Sequence, residues 1–190
     1  MGRYKNTLKI LREIALEYGT ANQPDLASMA RDMGRVVHQE SQVLSNGLAP
    51  LRGRGFERWL LAERKDPDIS VLVMAWPPNY LTPIHDHAGL WGLEVALVGA
   101  LEVQSYSRDP VSGELKMEGR DWLGQGDGTW FEGVDTHAHR CRNLSKHDTA
   151  LTLHVYGGDL TQYFAYEQEE ITGRWTSLAQ RSAVAGRLPA

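Results

Sequence analysis

The chain has 190 residues, of which 42% are hydrophobic and 23% charged, and its formal net charge is −4 at pH 7. These values are typical of one globular domain that is large enough to bury a core, and they offer no basic excess for binding nucleic acid or an anionic membrane. The single cysteine, Cys141, excludes an internal disulfide framework and favours a reducing compartment. Because charged residues interrupt the N-terminal segment and every apolar run is short, we expect neither a signal peptide nor a membrane span, and we predict a cytoplasmic protein.

The predicted elements change character at about residue 50. Apolar residues at helical spacing predict one helix within Lys5 to Tyr18 and a second helix that follows Pro24 and Asp25. Beyond them, short β-rich runs alternate with Gly, Pro and Asn. Five of these runs predict strands: Ile69 to Trp76, Leu93 to Val98, Ala100 to Tyr106, Thr129 to Phe131 and Ala150 to Tyr156. Gly99 and the stretch Pro110 to Gly113 indicate hairpin turns.

Seven or more short strands in about a hundred residues predict a mainly β sandwich or small barrel. We expect a single domain over residues 1–190, with N-terminal helices at 1–48, a β-barrel core at 50–160 and a C-terminal extension at 161–190. The last part of that extension, Arg174 to Ala190, is rich in small residues and is expected to be helical or loose.

A histidine pair and one distant histidine predict a metal site. On an extended strand, side chains at i and i+2 share a face, so His85 and His87 can present two imidazoles to one ion while Asp86 faces the other way. A third imidazole from a partner strand would leave the opposite face of the ion open for substrate. Neutral imidazole suits Fe, Zn, Cu and Ni, so the spacing alone does not select the metal.

Strand histidines at a barrel mouth resemble the metal sites of cupins. The first half of the cupin pattern is the His85/His87 pair with Gly99 downstream, and the second half is His139 followed four residues later by Asn143. That spacing favours His139 as the third ligand over its rival, His137, which shares its strand face. The remaining histidines, His38 and His147, are expected to be solvated.

Many cupins add a glutamate ligand four or five residues past the second histidine. Trp91 and Gly92 occupy those positions, and the nearest acid, Glu94, is a weak candidate for a fourth ligand. A three-histidine site with open positions is therefore the better prediction.

Two further features narrow the chemistry. Strand alternation puts Thr152, His154 and Tyr156 on one face, where a hydroxyl, an imidazole and a phenol could relay a proton; the alternative is the polar face of a solvent-facing strand. Upstream, Arg58 lies among bulky apolar neighbours, and its planar guanidinium suits a substrate carboxylate, although a lone arginine is usually a surface charge.

Together these residues resemble the cysteine dioxygenase family of small iron cupins, over about residues 56–158. The resemblance implies an Fe(II) cofactor on the three histidines His85, His87 and His139. It implies that Arg58 binds the substrate carboxylate, that Trp76 lies in the pocket, and that Tyr156, His154 and Thr152 form the catalytic row. The implied reaction uses O2 to oxidise a small thiol to its sulfinic acid.

Departures from the family pattern leave the substrate open. Gly92 stands where animal members carry a cysteine that is crosslinked to the tyrosine, so no crosslink is expected, and the chain leans towards bacterial members. Those include enzymes for 3-mercaptopropionate and for mercaptosuccinate, yet enzymes of the first kind usually carry glutamine in place of Arg58. Cysteine and a mercapto-carboxylate both remain candidates. The alternatives are another metal-dependent cupin enzyme, such as an isomerase or a carbon–carbon dioxygenase, and a non-catalytic binding module.

Overall fold

A computed structural model describes residues 2–21, 23–53 and 55–189. The chain begins with α1 (Arg3–Tyr18), α2 (Leu26–Gln39) and α3 (Ser41–Gly47). The carboxylate of Asp25 accepts a hydrogen bond from the Ser28 amide at 2.9 Å, which caps the start of α2. The two predicted helices are therefore confirmed, and α3 is an additional one. No helix in the described ranges has the length and apolar character needed to cross a membrane.

The described residues continue with a short 3-10 turn, Ala49–Leu51, and twelve strands. In chain order the strands are β1 (Glu57–Lys65), β2 (Asp68–Trp76), β3 (Ile84–His85), β4 (Gly92–Val98), β5 (Leu101–Arg108), β6 (Leu115–Leu123), β7 (Gly128–Phe131), β8 (His137–Asn143), β9 (Ala150–Tyr156), β10 (Gln162–Gln168), β11 (Trp175–Arg181) and β12 (Gly186–Arg187).

The strands form two six-stranded sheets. The first has the order β12-β1-β2-β9-β4-β7, and the second has the order β11-β10-β3-β8-β5-β6. Their inner faces share one core, in which Leu72 and Met74 of β2 pack with Leu101 and Val103 of β5. The predicted mainly β architecture with preceding helices is thus confirmed.

The helices cover the outer face of the first sheet. Alternate residues of β2, among them Val71 and Val73, pack outward against helical residues such as Leu11 and Met33. As a result β2 and β9 are buried on both faces, apart from Asp68 at the start of β2. The polar side chains on the inner face of β9 are therefore enclosed between the two sheets.

The C-terminal part of the chain differs from the prediction. The expectation that Arg174 to Ala190 is helical or loose is wrong for the described residues, because β11 pairs with β10 and β12 runs parallel to β1. Ala190 itself lies outside the described residues. The sheets also continue past residue 160, since β10 pairs with both β11 and β3. β10 and β11 form a hairpin, whereas the pairing of β12 with β1 joins distant parts of the chain.

Candidate metal centre

Three imidazoles converge between the sheets. His85 on β3 pairs in register with His139 on β8, and one ring nitrogen from each of His85, His87 and His139 lies within 4.8 Å of the others. The Nε2 atoms of His87 and His139 are 3.1 Å apart. Two nitrogens bound to one ion at about 2.1 Å each lie about 3 Å apart when the bonds are at right angles. The donor set therefore fits a metal ion.

The backbone around the histidine pair is less regular than expected. β3 ends at His85, so His87 lies beyond the strand, just before a turn in which Ala88 and Gly89 have φ angles of 51° and 74°. Asp86 faces away from the cluster, as predicted. Its Oδ2 accepts a hydrogen bond from the Tyr166 hydroxyl at 2.6 Å, and this contact anchors the segment that carries both imidazoles.

Burial keeps the three imidazoles neutral. Desolvation, reinforced by the neighbouring histidines, lowers the pKa of His87 and of His139 well below the usual range. Desolvation also lowers the pKa of His85, whose Nδ1 donates to the Pro83 carbonyl at 3.0 Å and so leaves Nε2 with its lone pair. Neutral imidazoles with free lone pairs are the form that binds a metal.

The two rival ligands lie at the margin of this cluster. His137 stacks on Phe131, with ring centroids 4.6 Å apart, and is absent from the group of converging donors among the described residues. Glu94 lies behind His139, with its Oε1 3.8 Å from His139 Nδ1, and forms a second potential donor group with His139 and Cys141. Burial raises the pKa of Glu94 to about 8, so its neutral form is favoured at pH 7 without a bound cation.

A hydrogen-bonded row leads from the core to the cavity beside the cluster. Trp76 Nε1 donates to Thr152 Oγ1 at 2.7 Å, Thr152 Oγ1 lies 2.7 Å from His154 Nε2, and His154 Nδ1 lies 3.0 Å from the Tyr156 hydroxyl. Thr152, His154 and Tyr156 are 0%, 2% and 3% exposed. These values rule out a solvent-facing strand as the reason for the polar row.

The protons of this row can be assigned from its chemistry. An indole N–H only donates, so the Thr152 hydroxyl accepts from Trp76 and gives its own proton to His154 Nε2. Burial lowers the pKa of His154 to about 3, so the ring is neutral and carries its one proton on Nδ1, which donates to Tyr156. Burial also raises the pKa of Tyr156, which keeps it a phenol whose own proton is free to be donated elsewhere.

Arg58 lines the same cavity as His85, His139 and His154, and this cavity has a volume of about 80 Å³. Arg58 is 8% exposed, and no carboxylate lies within 4 Å of its nitrogens among the described residues. Its Nη2 donates to the Leu160 carbonyl at 3.0 Å, and its Nη1 donates to Ser182. A buried guanidinium without a counter-ion has the charge and the N–H donors that suit an anion.

The structure adds pocket residues that the sequence reasoning missed. Phe56 stacks on Tyr80 with ring centroids 4.7 Å apart, and Tyr163 packs on His85 at 5.4 Å; all three aromatic residues line the cavity. Ser182 lines it from beyond β11. Only Phe56, an aromatic residue two positions before Arg58, could have suggested a pocket from the sequence. Tyr80, Tyr163 and Ser182 reach the cavity through the folding of distant segments.

The neighbourhood of Gly92 has no room for a side chain. A Cβ atom at this position would collide with the Phe131 ring.

Cys141 is buried, and its Sγ lies 3.7 Å from Glu94 and 3.8 Å from His139 Nε2. Burial raises the pKa of this thiol well above its usual range, which favours its protonated form.

In the described part of the chain, two β-sheets enclose the histidine cluster, and three helices precede them. A family model described as cysteine dioxygenase type I matches residues 57–169, which is more than half of the chain. The chain belongs to this family.

Solved structures with a similar fold resemble only part of the chain. An oxalate oxidase in complex with the substrate analogue glycolate shares 14% identity over 56% of this chain and 52% of that chain, with a TM-score of 0.43. The Schizosaccharomyces pombe Cnp3 cupin domain shares 11% identity over 56% of this chain and 66% of that chain, with a TM-score of 0.43. The protein TT1209 from Thermus thermophilus shares 20% identity over 53% of this chain and 82% of that chain, with a TM-score of 0.39. This chain thus spans about half of the oxalate oxidase.

Proposed function

We propose that this protein is an Fe(II)-dependent thiol dioxygenase that oxidises a small carboxylate-bearing thiol to its sulfinic acid with O2. Cysteine, 3-mercaptopropionate and mercaptosuccinate are the candidate substrates. The observation that carries the proposal is one small cavity lined by two metal-facing histidines, a buried arginine and a buried tyrosine: His85, His139, Arg58 and Tyr156.

The size and charge of the cavity support a small anionic substrate. A volume of about 80 Å³ corresponds to roughly three water molecules at about 30 Å³ each, so the cavity suits a small substrate. Arg58 supplies the positive charge, and its remaining N–H groups can bind a carboxylate in the bidentate manner that guanidinium favours. The aromatic residues Phe56, Trp76 and Tyr80 would exclude water from the bound thiol.

The reaction balances without an added reductant. Conversion of a thiol to a sulfinic acid releases four electrons, and one O2 accepts them while both of its atoms enter the product. Bound Fe(II) would supply the one-electron chemistry that lets O2 react with a thiolate. His85, His87 and His139 would hold that ion as neutral donors, which leaves its positive charge available to stabilise the thiolate form of the substrate.

The protein's own groups would bind and orient the substrate. Arg58 would hold the carboxylate at one end of the cavity, which fixes the thiol end towards the histidines. The Tyr156 hydroxyl would donate to oxygen as negative charge develops there, and His154 would stabilise Tyr156 through the bond from Nδ1. Thr152 would keep His154 in the tautomer that this donation requires.

Oxygen consumption by the Fe(II)-loaded protein tests the proposal. The thiols are cysteine, 3-mercaptopropionate, mercaptosuccinate and cysteamine, and cysteamine is the matched control because it has no carboxylate. We expect uptake with at least one carboxylate-bearing thiol, matched mole for mole by sulfinate, and a much higher KM for cysteamine. Absence of uptake with all four thiols, in protein that carries its iron, would refute the proposed activity for these substrates.

A further inference from the structure

The strongest unexplained feature of the pocket is Ser182. It lies just after β11, thirteen residues beyond the part of the chain that matches the family model (182 − 169). Its hydroxyl accepts a hydrogen bond from Arg58 Nη1 and donates to the Leu160 carbonyl at 3.0 Å. The same carbonyl accepts from Arg58 Nη2, so Ser182 and Leu160 hold both ends of the guanidinium.

Ser182 is held in place by backbone pairing. Its amide donates to the Thr161 carbonyl at 3.0 Å, and the Ala185 amide donates to the carbonyl of Arg58 itself at 2.7 Å. β12 then continues alongside β1, the strand that carries Arg58. The segment after β11 is thereby fixed to the backbone of the residue whose side chain it contacts.

A second cavity lies next to Arg58 and offers its guanidinium an alternative position. This cavity, of about 160 Å³, lies on the other side of Arg58 and Ser182, which line both cavities. Three carboxylates, Glu63, Asp68 and Asp159, and one further cation, Lys65, also line it. Glu63 already pairs with Arg187, and Asp68 pairs with Lys65, so Asp159 is the carboxylate that a guanidinium turned into this cavity would meet. The substrate cavity would then lose its positive charge.

We propose that Ser182 is a positioning residue for the substrate carboxylate: its hydroxyl keeps the Arg58 guanidinium facing the metal cavity and away from the acidic cavity behind it. This inference rests on the proposed function and extends it to a residue outside the matched region. Because the Ser182 proton is given to Leu160, the oxygen lone pairs face Arg58, which is the arrangement that a donor-only guanidinium needs.

Substrate kinetics of Ser182→Ala test the role. We expect KM for a carboxylate-bearing thiol to rise about tenfold, with kcat changed by less than about twofold, because the variant loses one hydrogen bond to a charged group. KM for cysteamine should not change, because that thiol has no carboxylate. Ser182→Thr, which keeps the hydroxyl, should restore KM, and Ser177→Ala on exposed β11 should behave as wild type. A Ser182→Ala variant with unchanged KM, or with equal effects on both thiols, would overturn the proposal.

A double-mutant cycle separates positioning of Arg58 from a general structural effect. In an Arg58→Ala background, Ser182→Ala should produce no further rise in KM, because the guanidinium that Ser182 positions is absent. An additive effect would show that Ser182 acts independently and would contradict the inference.

A metal-free assay separates this inference from the proposed function. Binding of propionate to the metal-free protein, followed by isothermal titration calorimetry, needs Arg58 and no oxidation of a thiol. We expect Kd to rise about tenfold in Ser182→Ala and to return in Ser182→Thr. If wild type oxidises no thiol yet shows this pattern, the proposed activity fails and the inference stands. If wild type oxidises thiols and the pattern is missing, only the inference fails.

Discussion

Replacement of Tyr156 by phenylalanine removes one oxygen atom from the end of the buried row. His154 Nδ1 loses its acceptor at 3.0 Å, and the residue is only 2% exposed. An unsatisfied buried donor costs about 1–3 kcal/mol, so the free energy of unfolding should fall by that amount. Loss of a positioned proton donor typically slows a reaction by about 10²–10⁴-fold, and we expect kcat to fall by at least about a hundredfold.

The assay compares iron content, oxygen uptake and sulfinate yield in the same preparation. Tyr156→Phe should retain its iron and its KM for thiol, because the three histidines and Arg58 remain in place. Tyr106→Phe is the matched control: this buried tyrosine donates to Gln104 at 2.9 Å on the second sheet, so its loss tests destabilisation alone. A Tyr156→Phe enzyme with full kcat, or one that loses iron in proportion to activity, would refute the reasoning.

Three other variants test the metal centre. His139→Ala should abolish stable iron binding, measured by elemental analysis after gel filtration, whereas His147→Ala in an exposed loop should retain it. Asp86→Ala should weaken metal affinity about 10–100-fold in a chelator competition, because the segment loses its anchor to Tyr166; unchanged affinity would contradict this role. Burial raises the pKa of Glu94 to about 8, so in the metal-free protein its contribution to stability is fully present below about pH 4.5 and is lost as pH rises towards 8. Glu94→Gln should remove that loss, on the order of a few kcal/mol in urea unfolding between pH 5 and 8, and parallel pH profiles for the two proteins would contradict it.

Strand alternation predicts the placement of the polar side chains beside the metal centre. Thr152, His154 and Tyr156 share a face by their spacing alone, and the structure places all three in one hydrogen-bonded row. The pairing of His85 with His139 follows the expected convergence of two distant segments. His87 also joins the cluster, although β3 ends at His85, because the contact of Asp86 with Tyr166 holds the segment from the opposite side.

The elements that were missed are polar or depend on distant partners. β6 is mostly exposed, so it lacks the apolar alternation that predicts a half-buried strand. β11 is also mostly exposed and lacks this alternation, although it forms a hairpin with its neighbour β10. Ser182 is an ordinary serine in the sequence, and its contact with Arg58 depends on backbone pairing with Thr161 and on the approach of the following residues to β1. Such features follow from tertiary pairing, which local propensity does not encode.

Isotope labelling tests the central claim most directly. The Fe(II)-loaded protein would react with a carboxylate-bearing thiol under ¹⁸O2, and the sulfinate would be analysed by mass spectrometry. The account predicts a product heavier by about four mass units, because both atoms of O2 enter the sulfinate. A product with one labelled oxygen, or unlabelled sulfinate accompanied by hydrogen peroxide, would contradict the assignment of this protein as a thiol dioxygenase.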